Sequence, residues 1–129
     1  MSQAVFSLAR ILVVVLFCVS GAQKLMNPAG VVGAVSGKGL PYPEVLAWLT
    51  IAAELGLGLL IALGFYARAA SVLLAVFTLA TILFFHNFWT MSGDAARMNQ
   101  IQAMKNLSII GGLLMIAAAG PGRFALNRR

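Results

Sequence analysis

Four long apolar stretches, separated by short polar or glycine-rich punctuation, constrain this chain more than any other feature. They run from about residue 5 to 24, 45 to 64, 67 to 89 and 106 to 119. A hydrocarbon core about 30 Å thick asks for about 20 mostly apolar residues per helix, so 129 residues suffice for four crossings and little else. A hydrophobic content of 61% with 9% charged residues excludes an ordinary soluble domain. The expected fold is therefore all-α: an integral membrane antiparallel four-helix bundle, a single membrane domain over residues 1–129 with no catalytic domain outside the bilayer.

The formal charge of +6 comes from nine Lys and Arg against three acids. The basic residues stand between apolar stretches and read as topology signals. No basic run with interleaved aromatics is present, so nucleic acid is not an expected partner. Cys18 is the only cysteine and His86 the only histidine, so an intrachain disulfide, a structural zinc, an iron–sulfur cluster or a bis-histidine haem within one chain lacks ligands. No metal site is expected; one shared between subunits stays open.

Arg10 ahead of an apolar run and Ser20-Gly21-Ala22 at its end resemble a secretory signal. The numbered chain retains that segment, which is expected as the first transmembrane helix. Residues 27–44, rich in Gly and Pro, read as a loop with at most a short interfacial turn. The turn at 64–68 is too short to cross anything, so the third helix returns antiparallel, and its FFHNFW end suits an aromatic belt. Residues 90–105 read as a second loop, and Gly120-Pro121-Gly122 stops the fourth helix. Arg10, Arg68, Arg123, Arg128 and Arg129 then share one side, against Lys24, Lys38, Arg97 and Lys105. This asymmetry puts both termini in the cytoplasm.

Glu54 is the candidate for chemistry. It lies midway along the second crossing, about 15 Å deep, where a charge costs roughly 2.5–3.5 kcal/mol. It should be protonated, paired or facing a wet cavity. Ala47, Thr50, Ile51, Gly58 and Ile61 share its face and point it into the bundle. Arg10 is the nearest match in depth, off by about 6 Å. Two readings stand side by side: a structural Arg10–Glu54 ion pair, or a proton-accepting carboxylate beside a ligand.

On the third helix Arg68, Ser71, Ala75, Thr78, Ile82 and His86 form one small-and-polar stripe, expected to face inward. Arg68 and His86 lie about 27 Å apart along it, at opposite interfaces. His86 thus joins Gln23, Lys24, Asn87, Lys105 and Asn106 in a polar rim on the non-cytoplasmic side, as an interfacial hydrogen-bonder or as a contact for a lipid headgroup or quinone carbonyl. Ser108, Gly112 and Ala119 form a small-residue face on the fourth helix, fit for internal packing or for the seam of a homo-oligomer. Asn106-Leu107-Ser108 matches a glycosylation sequon at the membrane edge and is read as chance.

Arg10, the Ser20-Gly21-Ala22-Gln23-Lys24-Leu25 segment, Gly39-Leu40-Pro41, Glu54-Leu55-Gly56 and Leu63-Gly64-Phe65-Tyr66-Ala67-Arg68 together resemble the DoxX family. His86-Asn87-Phe88-Trp89, Lys105-Asn106-Leu107, Gly111-Gly112-Leu113 and Gly120-Pro121-Gly122 extend the likeness over nearly the whole chain. Ala125-Leu126-Asn127 stands where such proteins often have Ser-Leu-Asp. The resemblance implies a four-helix bacterial inner-membrane protein, linked to quinol oxidation, thiosulfate–quinone chemistry and membrane complexes that handle oxidative stress. Carried onto this sequence, it singles out Arg10, Lys24, Glu54, Arg68 and His86 without catalytic steps. Asn106 joins them as a binding candidate from its place in the rim, and Glu54 and His86 are the two candidates for catalysis.

Three functions compete. The first is a membrane subunit that docks a redox protein and holds a quinone or lipid near Glu54, as part of an oxidoreductase rather than an enzyme by itself. The second is a proton-linked small-molecule transporter, since such sites lie near the midplane. The third is a scaffold whose intramembrane polar groups serve packing alone.

Overall fold

A computed structural model describes residues 2–129. Helix α1, Gln3–Met26, starts where Ser2 caps it, its side chain accepting from the Ala4 N–H at 3.2 Å. Asn27 leaves the helical conformation and itself begins α2, Pro28–Gly37, accepting from the Gly30 N–H through its side chain at 3.3 Å, with Pro28 in the first turn. The second crossing, Pro43–Leu63, is made of α3, Pro43–Ile51, a π-helical segment, Ala52–Leu57, and α4, Gly58–Leu63. After a tight turn come α5, Ala67–Phe84, a 3-10 turn, Phe88–Thr90, and α6, Gly93–Ala119. Four helices are long and apolar enough to span a membrane, and no strand occurs among the described residues.

Three stretches differ from the expectation. Residues 27–44, read as a loop, contain α2. Residues 90–105, also read as a loop, hold the first half of α6. The third helix stops at Phe84 rather than Trp89. The physical reasons differ. Helix α2 is started by the Asn27 cap and Pro28 in its first turn, despite a Gly- and Val-rich sequence. Ala, Met, Gln, Arg and Lys between 95 and 105 are good helix formers, and a span criterion counts apolarity and overlooks propensity.

One half of the bundle is solid. On α1 the buried positions are Ser7, Arg10, Val14, Phe17 and Gly21, three and four residues apart, a single stripe facing the other helices. Val14, Phe17, Ile61, Ala67, Ala70, Leu74, Leu113 and Ile116 form the core where α1, α4, the start of α5 and the end of α6 meet. The stripe expected on α5 is inward at Ser71, Ala75, Thr78 and Ile82, whereas Arg68 at its start is exposed, turned to the end of α6, and His86 lies past the helix end. On α6 the inward face is Ala103, Asn106, Leu113 and Ile116. Ser108 and Ala119 are exposed, and of the expected small-residue face only Gly112 lies close to a neighbour, Val13. Val5, Leu8, Leu12, Val15 and Val19 point outward from α1 as lipid-facing groups would. Lipid tails are as apolar as leucine, so close packing rather than water exclusion holds such a bundle together.

The other half is hollow. Beyond Phe17 and Phe77 a cavity of about 950 Å³ opens between the end of α1, α2, α3 and the end of α5. Ser20, Ala34, Thr50, Ala80 and Thr81 line it where Leu and Ile fill the solid half. Helix α2 lies against α3 with Val31 and Val35 turned inward and closes one wall.

Candidate functional site

Ser20 and Lys24 are four residues apart and share one face of α1. Gly21, between them, lies against the backbone of Leu55, and a Cβ there would stand 2.6 Å from the Leu55 nitrogen. Glycine thus lets α1 touch the π segment and delivers both side chains to Glu54. Glu54 is 4% exposed, and both its carboxylate oxygens are paired. Its Oε1 accepts from Ser20 Oγ at 2.8 Å and from Lys24 Nζ at 2.6 Å, and its Oε2 accepts from Lys24 Nζ at 2.7 Å. The ammonium is one-third exposed and has a third hydrogen left over. π segments occur often at functional sites. Here the segment carries Glu54 at its centre, and the Gly58 N–H reaches the carbonyls of both Glu54 and Leu55.

The same cavity wall carries Gln23, Thr50, His86, Lys105 and Asn106. His86 Nδ1 lies 3.0 Å from Asn99 Oδ1. Asn106 is buried and donates from Nδ2 to Thr81 Oγ1 at 3.1 Å, which joins α6 to α5 and takes it out of reach of a glycosylating enzyme. Glu54, Lys24 and Asn106, from three helical segments, and His86, from the turn after α5, therefore face one space.

Arg10 does not belong to it, and the Arg10–Glu54 pair does not form. Contacts of Gly21 with Leu55 and of Gly58 with Cys18 set the antiparallel register of α1 on the second crossing. Arg10 then sits three turns earlier on α1, about 16 Å from the level of Gly21. Its guanidinium donates to the carbonyls of Pro121, Phe124 and Ala62, the last at 3.1 Å. Arg68 likewise donates to the carbonyls of Ala118 at 2.6 Å and Ala117 at 3.1 Å. Arg10 thus meets the negative end of α4 and the carbonyls of the tail, and Arg68 meets the negative end of α6. The tail completes this clamp. Gly64, at φ +70°, packs against Ala125, and Asn127 Oδ1 accepts from the Tyr66 N–H at 2.9 Å, a bond that an aspartate at this position would also make.

Sequence reasoning missed Ser20 and Asn99 as partners. The i, i+4 pairing of Ser20 with Lys24 was a usable signal for the first. Asn99 lay in a stretch read as a loop, which gave it no register against His86.

Fold and site define a four-span helical membrane protein with a mostly apolar cavity in one half, its wall carrying a few polar groups. Residues 5–87 match the DoxX family model, from α1 through His86. The chain is 39% identical over 122 residues to the inner membrane protein YphA of Escherichia coli, covering 95% of this chain and 87% of that protein. It is 38% identical over 120 residues to the inner membrane protein YqjF of the same organism, covering 93% and 87%. No solved structure matches it. The chain belongs to the DoxX family.

Proposed function

We propose that this protein is a ligand-binding membrane subunit of a redox system, resident in a bacterial inner membrane, whose cavity takes an amphiphile of the quinone–quinol class. The observation that carries this reading is the Lys24–Glu54 ion pair in the wall of a mostly apolar cavity of about 950 Å³, with His86 and Asn106 in the same wall. Small-molecule sites span about 300–1,000 Å³ and combine apolar walls with a few placed polar groups. A quinone headgroup has that chemistry: an apolar ring whose oxygens accept from Lys24 or Lys105, and an alkyl tail suited to Leu16, Val31 and Phe84. In this reading electron transfer comes from a docked protein, and Glu54 holds Lys24 in place as a donor. The five arginines beside the termini support an orientation with both termini cytoplasmic.

The test is saturable binding of a short-chain quinone to the full chain in nanodiscs. The proposal expects one ligand per chain and at least a tenfold loss in the Lys24→Met, Glu54→Leu double variant. Unsaturable uptake, equal in wild type and variant, would remove it. A reporter fused to the carboxyl terminus checks orientation, with cytoplasmic activity expected.

A second reading, a proton-linked transporter, draws on a carboxylate carried by a π-helical segment midway along a spanning helix, near the depth of transporter sites. Proteoliposomes that show proton or solute flux lost in Glu54→Gln would favour it over the first.

A further inference from the structure

Charge is divided unevenly between the two ends of the bundle. Toward the end where α3 and α6 begin lie four cations, Lys24, Lys38, Arg97 and Lys105, together with all three acids, Glu44, Glu54 and Asp94. Both side-chain ion pairs among the described residues, Lys24–Glu54 and Arg97–Asp94, are drawn from this set. The end where α1 and α5 begin and α4 and α6 stop has five arginines, Arg10, Arg68, Arg123, Arg128 and Arg129, and no Asp or Glu side chain.

These arginines are not equally engaged. Arg10 is buried on backbone carbonyls, and Arg68 is spent on the last turn of α6. The guanidiniums of Arg123 and Arg128 are exposed and have no partner among the described residues. That of Arg129 reaches the Tyr66 hydroxyl at 3.4 Å and stands 5.8 Å from the centre of its ring.

A topology signal needs charge alone, and a loose tail would supply it. This tail is pinned. The Leu126 N–H donates to the Leu63 carbonyl at 3.1 Å and the Asn127 N–H to the Gly64 carbonyl at 3.2 Å. Asn127 Oδ1 accepts from the Tyr66 N–H at 2.9 Å, and the Arg123 N–H donates to Gln3 Oε1 at 3.0 Å. The bonds lay the tail across the bundle end and set its arginines beside exposed Phe65, Tyr66, Phe124 and Leu126. Guanidiniums alternating with exposed aromatic and aliphatic groups at the end of a span suit the boundary between headgroups and acyl chains.

We infer that this end binds an anionic phospholipid of the phosphatidylglycerol class, its phosphodiester held by the tail arginines and its upper acyl carbons lying against Phe124 and Leu126. The planar fork of a guanidinium matches two phosphate oxygens, which a zwitterionic headgroup also presents but with a cation attached that the arginines repel. With no carboxylate of its own at this end, the protein takes its counter-charge from the lipid. The site is separate from the cavity and does not depend on what the cavity holds.

Native mass spectrometry of the full chain, released from micelles holding phosphatidylglycerol and phosphatidylcholine in equal amounts, reads the preference directly. A basic residue beside an anionic surface is worth about fivefold, so the wild type should retain phosphatidylglycerol at least about tenfold over phosphatidylcholine. The Arg123→Gln, Arg128→Gln double variant, which keeps the Tyr66 contacts of Arg129, should lower that preference at least about fivefold. Adding Arg129→Gln should bring it near parity, with the melting temperature in phosphatidylcholine unchanged. Lys38→Gln with Arg97→Gln, at the other end, should leave the preference as it is. Equal retention of the two lipids by the wild type, a preference that survives the three substitutions, or one lost equally from the other end would overturn the inference. So would protection against thermal unfolding by glycerol 3-phosphate as strong as that by phosphatidylglycerol, which would make the ligand a soluble phosphate.

Discussion

The two halves of this bundle hold intramembrane cations in opposite ways. Arg10 and Arg68 are met by backbone carbonyls at helix ends and in the tail, with no side-chain carboxylate bonded to either among the described residues. Lys24 meets a side-chain carboxylate in the wall of a cavity. Carbonyls at a helix end exist in any helix and need a partner, so an arginine there ties the fold together. A glutamate midway along a spanning helix has no such origin. It places a charge where the bilayer opposes one, and a chain that needed only packing would have a leucine there. The solid half thus has the marks of structure and the hollow half the marks of use.

Four changes would break or sharpen that contrast. The largest effect on stability belongs to Arg10→Ala. It strips three carbonyls of their donor, and with about 1–3 kcal/mol for each unsatisfied group the loss should reach about 3–5 kcal/mol. Denaturation in mild detergent measures it, and the cavity should still bind ligand in whatever fraction stays folded. Next comes Gly21→Val, whose side chain meets the Leu55 backbone. Overpacking of this kind costs about 1–3 kcal/mol, and by moving α1 it should weaken ligand binding too, so one variant reports on both halves. Removing one partner of the ion pair, in Glu54→Leu, should cost about 1–3 kcal/mol. The figure lies below the usual loss for a broken buried pair because Lys24 can turn toward water. Removing both, in Lys24→Met with Glu54→Leu, should restore most of that stability. The smallest effect is Asn106→Ala, about 1 kcal/mol for one bond to Thr81, seen as a drop in melting temperature of a few degrees.

The four crossings were legible because a span announces itself by length and apolarity alone. The inward faces of the second and third crossings were legible too, since 3.6-residue periodicity put Glu54 with Ala47, Ile51, Gly58 and Ile61, and put Ser71 with Thr78 and Ile82. What sequence hid was register between helices. Depth counted from helix ends matched Arg10 to Glu54, whereas the contact of Gly21 with Leu55 slides α1 so that Lys24 arrives there. A glycine in a helix gives no hint of which backbone it touches. The cavity was hidden for a related reason: it depends on α2, whose Val31 and Val35 complete a wall although the segment reads as a Gly-rich loop.

The central claim is that Lys24 and Glu54 are present for a ligand and not for the fold. Quinol binding to the Lys24→Met, Glu54→Leu double variant, measured beside its melting temperature in nanodiscs, addresses it most directly. The account predicts a melting temperature within a few degrees of wild type together with at least a tenfold loss of affinity. A double variant that binds as tightly as wild type would contradict it and leave the pair a structural one.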